Sequence, residues 1–263
     1  MRLAVLFVFV IAAAASAAPV AQVAAPASAE CDWVAVKGID VAWSQELLQD
    51  GGWAIASQLA SDYPFYAEAA DDFLCGDGRP VVAVEWWGAY WNPGAPPYAD
   101  GFAVRFYAND TGGGLPKPGE LLFEQTCFDF VEEVLPDQTW WYHYYCALDP
   151  PFEQAAGETY WLSVQAVYPW YEGGQWGWGE CVSGDYWGGE AVYVFDALGI
   201  DEWAPVSSSD PYEHRECAFV LYKDEISPVE QALLAEAVPE AEEVQETEPG
   251  AQARNREQEQ EQE

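Results

Sequence analysis

From about residue 70 to residue 222 the chain alternates apolar and mixed positions with a period of two, the pattern of strands with one buried face. Val82, Val84 and Trp86 fall on one side of an extended run, with Ala83, Glu85 and Trp87 on the other. Phe102, Val104 and Phe106 oppose Ala103, Arg105 and Tyr107 in the same way. Tyr160, Leu162, Val164 and Ala166 oppose Trp161, Ser163 and Gln165. Strand-like runs cover 70–75, 81–90, 102–108, 121–134, 140–148, 160–167, 191–195 and 218–222, separated by Gly, Pro, Asn and Asp. Residues 43–60 suit either a short helix or an extra strand. Many short strands, turn signals between them and little helical periodicity predict an all-β fold, an antiparallel β-sandwich of jelly-roll type.

The two ends differ from this middle. Met1-Arg2, an apolar run over 3–11 and the small-residue site Ala15-Ser16-Ala17 read as a secretory leader, residues 1–17. The apolar run is too short to span a bilayer and no other segment reads as transmembrane, so no stable membrane insertion is expected after cleavage. Residues 18–45 form an N-terminal extension, 46–224 the sandwich, and 225–263 an acidic tail ending Glu257-Gln258-Glu259-Gln260-Glu261-Gln262-Glu263. The tail has no aromatic residue and too little apolar surface to offset its ordering entropy, so it reads as disordered.

An exported chain with six cysteines argues for disulfide stabilisation. Runs 122–134 and 140–148 flank the turn sequence Leu135-Pro136-Asp137-Gln138. A hairpin centred between Pro136 and Asp137 sets Cys127 opposite Cys146, at a spacing that a disulfide bridges.

Charge narrows the function classes. Lys and Arg total 9 against 45 Asp and Glu, a formal net charge of −36 that repels phosphate backbones and excludes general nucleic-acid binding. The histidines, His143 and His214, accompany neither a G-x-S-x-G turn nor an H-E-x-x-H pattern, so no catalytic constellation is read and a non-enzyme is expected.

Aromatic residues make up 16% of the chain and set the candidate chemistry. The mixed faces of the three strands together hold Glu85, Trp87, Arg105, Tyr107, Trp161 and Gln165. Rings beside carboxylate, guanidinium and amide groups suit a sugar, whose apolar face stacks on the ring while its hydroxyls take the polar groups. The alternative places these aromatics under loops, with Glu85 and Arg105 an ordinary cross-strand pair. A Gly-rich stretch with Trp170, Tyr171, Trp176, Trp178, Tyr186 and Trp187 is a second candidate rim. Trp140, Tyr142 and Tyr144 with Asp129 and Glu133 are a third. Asp71, Asp72, Asp77, Asp110 and Asp185 are hard oxygen ligands suited to structural calcium, although no D-x-D-x-D-G loop is present. No other cofactor is called for.

Several motifs taken in order resemble a known module. They are Asp71-Asp72-Phe73-Leu74-Cys75, Val84-Glu85-Trp86-Trp87-Gly88, Arg105-Phe106-Tyr107-Ala108 and Pro118-Gly119-Glu120-Leu121-Leu122. They continue with Tyr160-Trp161-Leu162-Ser163-Val164-Gln165-Ala166, Trp176-Gly177-Trp178, Ala191-Val192-Tyr193 and Ala218-Phe219-Val220-Leu221. Over about residues 60–222 the chain is similar to an uncharacterised β-sandwich module of exported planctomycete-type bacterial proteins. The resemblance implies a sandwich and an extracellular location, and it carries no catalytic residues. It also implies that the first and last strands pair antiparallel, bringing Cys75 to Cys217; the same topology is the basis for placing Cys31 with Cys181. The expectation is a secreted binding module for extracellular polysaccharide or a cell-surface component. The alternative is a structural protein of a cell envelope or matrix, with calcium as an optional aid.

Overall fold

The computed structural model describes residues 39–48, 52–60, 64–91, 99–135, 140–169, 174–182, 185, 187–208 and 215–224. The leader reading (1–17), Cys31, the 136–138 turn, Trp170, Tyr171, Tyr186, His214 and the acidic tail lie outside the described residues.

Fourteen strands are described: β1 (Ile39–Gln45), β2 (Ala54–Ala56), β3 (Gln58–Leu59), β4 (Tyr66–Leu74), β5 (Val81–Trp91), β6 (Gly101–Asp110), β7 (Lys117–Cys127), β8 (Val131–Val134), β9 (Trp141–Phe152), β10 (Thr159–Val167), β11 (Gln175–Gly179), β12 (Val192–Phe195), β13 (Ile200–Pro205) and β14 (Phe219–Asp224). They form two seven-stranded sheets packed as a β-sandwich. In the first sheet β5 is the long central strand. It pairs with β9 on one side; on the other it pairs with β14 along its first half and β11 along its second. Strands β1, β2 and β8 flank β14, β11 and β9. The second sheet runs β13, β12, β4, β10, β6, β7, with the two-residue β3 wedged between β4 and β10. Every pairing is antiparallel except β3 with β10.

The inward positions are those that the alternation marks. Trp86 stacks on Tyr144 at 5.5 Å within the first sheet, and Phe102 of the second sheet meets Trp86 and Trp176 edge-on, each at 5.1 Å. Phe106 stacks on Phe152 at 4.2 Å across the sheets. Each such side chain stabilises the fold by about 1.5–3 kcal/mol relative to exposure. Gly88 faces inward where nothing larger fits: an added Cβ would lie 2.3 Å from the Trp176 ring and 2.8 Å from the Gly177 carbonyl oxygen.

Several expectations change. The described residues of 43–60 hold no helix; they carry the end of β1, then β2 and β3. β1 lies in the stretch assigned to the N-terminal extension, yet it pairs with β14 along its length, so the sandwich starts by Ile39. The 121–134 run is two strands in different sheets, because residues 128–130 bend the chain across the sandwich. Cys127 and Cys146 are joined, but between sheets rather than across a hairpin. The hairpin is β8–β9, and it sets Val131 opposite Tyr145.

The Cys75–Cys217 bridge does not form. Both are buried free thiols, because β4 and β14 belong to opposite sheets. The Cys217 amide lies over Asp71, four residues back along β4 from Cys75, a distance of about 13 Å in an extended strand. Cys181 is also a buried free thiol, and Cys31, its expected partner, lies outside the described residues.

Candidate functional site

The six residues expected to share one face divide between the two outer surfaces of the sandwich. Glu85 and Trp87 lie on the first sheet; Arg105, Tyr107, Trp161 and Gln165 lie on the second. Each strand presents its mixed face outward, as alternation requires, but β5 is in a different layer from β6 and β10.

On the second sheet the polar groups close on Glu68 of β4. Its carboxylate accepts hydrogen bonds from the Tyr107 hydroxyl (2.7 Å), the Ser163 hydroxyl (2.8 Å) and the Tyr66 hydroxyl, and pairs with Arg105 Nη1 at 3.3 Å. Arg105 also donates to Gln165 Oε1 (3.0 Å) and to Glu124 (2.8 Å), and Gln165 Nε2 donates to the Ala67 carbonyl (2.8 Å). Burial first, and then the Glu68 charge, push the Tyr66 and Tyr107 phenols upward, so both remain donors. Trp161 is fully buried: its indole donates to Asn109 Oδ1 at 3.0 Å, and the 187–189 segment passes over it. This network consumes its own donors and acceptors, as structural polar clusters do.

The first sheet differs. Register places Tyr145 and Val220 beside Glu85, His143 beside Trp87, and Tyr222 beside Ala83, all on the outer face. Glu85 Oε1 lies 2.7 Å from His143 Nε2, and its other oxygen accepts the Tyr222 hydroxyl. The Trp87 ring stacks on His143 at 5.3 Å, and Tyr145 tilts against Tyr222 at 6.1 Å. Glu85 therefore stands between two aromatic pairs, and all five side chains are half-buried. Burial, followed by the Glu85 carboxylate, pushes the Tyr222 and Tyr145 phenols up and keeps them as donors. Strands β5, β8 and β9 contain no Lys or Arg, and β8 adds Glu133 beside His143. A face of rings, carboxylates and hydroxyls without fixed cations can stack on apolar ligand surfaces and accept hydrogen bonds from hydroxyl groups.

Sequence reasoning missed His143, Tyr145 and Tyr222 as partners of Glu85. The period-two signal was present in β9, but the third candidate followed the other parity. Tyr142 and Tyr144 point inward against Tyr90 and Trp86, which puts His143 and Tyr145 outside. In the second candidate, Trp176 and Trp178 are buried in the core on β11.

The acids proposed for calcium have other partners. Asp77 takes Arg79 (2.9 Å) and Lys223 (2.7 Å), Asp110 caps the Gly112 amide, Asp185 accepts the Glu46 amide, and Asp71 accepts the Cys217 amide. Among the described residues no group of three His, Cys, Asp or Glu side chains is arranged to hold a metal ion. No helix of the described residues is long and apolar enough to cross a membrane.

A family of domains of unknown function, DUF7901, matches residues 41–222, the span from β1 to β14. The chain belongs to that family. The match starts inside β1, in keeping with the pairing of that strand with β14, and the DUF7901 domain here thus includes both outer faces described above. No curated protein and no solved structure matches the chain.

Proposed function

We propose that the protein is a secreted, non-catalytic binding module for extracellular carbohydrate, with the outer face of the first sheet as its ligand surface. One observation carries the reading: Glu85 lies between the Trp87–His143 and Tyr145–Tyr222 ring pairs on a half-exposed face without Lys or Arg in β5, β8 and β9. Rings supply apolar contact to sugar C–H faces, and the carboxylate and phenols supply the directional polar groups. Trp161 is not part of this ligand surface, and Arg105, Tyr107 and Gln165 serve the opposite face. The test is affinity electrophoresis against a panel of polysaccharides, with and without calcium, using the wild type, Trp87→Ala and Tyr222→Ala. Retardation by one glycan, lost in both variants while the fold is kept, supports the proposal; no retardation by any glycan overturns it.

A second reading, a structural component of an envelope or matrix, draws on β7. This eleven-residue strand has β6 as its one described sheet neighbour and exposes Leu121 and Leu122. A long edge with exposed leucines is a surface on which another chain can add a strand. Concentration-dependent assembly in analytical ultracentrifugation, abolished by Leu122→Lys, is the result expected from that reading.

A further inference from the structure

The distribution of positive charge bears on which ligand the outer face of the first sheet takes. Nine Lys and Arg residues occur in the chain, and five of them fall between Ile39 and Asp224; the other four belong to residues 1–38 and 225–263, outside the described residues. None of the five stands among the ring pairs around Glu85. Arg79 pairs with Asp40 (3.0 Å) and Asp77 (2.9 Å). Lys223 follows Tyr222 but has the opposite parity in β14, and its ammonium is bound to Asp77 at 2.7 Å. Arg215 is buried against Glu180 at 2.8 Å and lies over the Trp53 ring. Arg105 and Lys117 belong to β6 and β7 of the second sheet.

The groups that do stand there are rings, phenols, acids and one imidazole. His143 lies between two acidic residues: Glu85 Oε1 is 2.7 Å from its Nε2, and Glu133 is its partner across the β8–β9 ladder. Two carboxylates against one imidazole leave this row negative even with the imidazole protonated. On the β14 side the ladder partner of Glu85 is Val220 and that of Ala83 is Tyr222, so that strand adds no positive charge there. A ligand carboxylate or sulfate held on the Trp87 or Tyr145 ring is therefore brought against Glu85 or Glu133 with no Lys or Arg to receive it, and like charges placed together suppress a wrong partner. The formal net charge of −36 extends that repulsion beyond contact. An uncharged pyranose meets no such penalty, because its hydroxyls donate to carboxylates and its C–H face lies on rings.

We infer that this face is charge-selective: it takes an uncharged polysaccharide and rejects uronate- and sulfate-bearing ones, with Glu85 and Glu133 setting the selection. This selectivity rests on the carbohydrate reading above and names the ligand class within it. Total charge alone does not impose it, since an acidic protein can still carry a local basic patch. Here the five Lys and Arg residues between Ile39 and Asp224 all lie away from the ring pairs, so the face has no such patch.

The test is biolayer interferometry of the full chain on immobilised polysaccharides, in about 20 mM and about 500 mM NaCl. Galactomannan, xyloglucan and mixed-linkage β-glucan are the uncharged probes, alginate, polygalacturonate and chondroitin sulfate the anionic ones, and chitosan the cationic one. An uncharged probe is expected to bind with an affinity that changes less than about twofold between the two salts. The anionic probes are expected to bind at least about tenfold more weakly at low salt. Trp87→Ala should remove the binding of the uncharged probe, and Glu133→Lys should raise alginate binding relative to it. An anionic probe or chitosan that binds more tightly than every uncharged one at both salts, and is lost in Trp87→Ala, overturns the selectivity and leaves the carbohydrate reading standing. So does an unchanged ratio of alginate to uncharged binding in Glu133→Lys. Binding to no polysaccharide overturns the carbohydrate reading itself, and the selectivity with it.

Discussion

Cys127 at the end of β7 and Cys146 within β9 form a disulfide that ties the second sheet to the first. The tie closes one side of the sandwich, where Gln125 also bridges the sheets by donating to the Ala147 carbonyl (2.9 Å) and accepting the Asp149 amide (2.8 Å). The bridge spans 19 residues of chain, so its loss is expected to lower stability by about 3 kcal/mol through the freed unfolded chain. Urea denaturation of Cys127→Ser/Cys146→Ser beside the wild type checks this. An unchanged midpoint would mean that the side-chain contacts of Gln125 suffice.

Trp161 and Trp87 should separate cleanly in mutagenesis. Trp161 is enclosed and hydrogen-bonded to Asn109, so Trp161→Ala is expected to cost about 3–5 kcal/mol. Trp87 is half-buried on the opposite face, so Trp87→Ala should cost less stability and bear on glycan retardation instead. Thermal melts of the two variants give the ranking, and the reverse order would contradict the burial described above.

Gly88 provides a test of packing at the centre of β5. A methyl group there meets the Trp176 ring and the Gly177 carbonyl, and the Trp176 indole is held by the Tyr144 hydroxyl at 3.2 Å. Overpacking of this kind costs about 1–3 kcal/mol. Gly88→Ala is expected to lower the denaturation midpoint by that amount, with a changed near-ultraviolet circular dichroism spectrum from the displaced Trp176.

Asp77 carries an acid-side dependence of small size. Burial raises its carboxyl, but hydrogen bonds from Lys223 and Arg79 outweigh this and hold it at about 2. Its folded value is therefore below the ordinary value of about 3.9. The stabilisation is fully present above that ordinary value and is lost as pH falls through about 2. The site is partly exposed, so screening limits the contribution to roughly 1 kcal/mol or less. Acid titrations of stability should show that loss in the wild type and not in Asp77→Asn. A variant curve with the same acid slope would remove Asp77 from the account.

The regularity of the alternation explains what was readable beforehand. In β5, β6 and β10 the apolar parity chose the inward face correctly, since Trp86, Phe102, Phe106 and Leu162 are all buried. The strand at 121–134 misled, because continuous strand propensity does not register a change of sheet at residues 128–130. The cysteines divide in the same way. Cys127 and Cys146 are joined although the ladder expected to align them is not there, while Cys75 and Cys217 stay apart because their strands are in different layers.

The candidate site was legible only in halves. Glu85 and Trp87 could be marked as outward polar and aromatic positions, and Arg105, Tyr107, Trp161 and Gln165 likewise. Which of them share a surface depends on strand order, and strand order is not encoded in a period-two pattern. The registers of β9 and β14 against β5 bring His143 and Tyr222 to Glu85 from 58 and 137 residues away.

By itself, then, the sequence determined the class of fold, the inward side of the regular strands and a large excess of acidic over basic residues. These are local or summed properties, set by side-chain period and formal charge. Tertiary structure alone decided the partition into two sheets, the split of one expected site into two opposite faces, and the burial of Asp71, Asp72, Glu180 and Glu216. Those outcomes depend on contacts between residues remote in the chain, where the free energy belongs to pairs that no single segment contains.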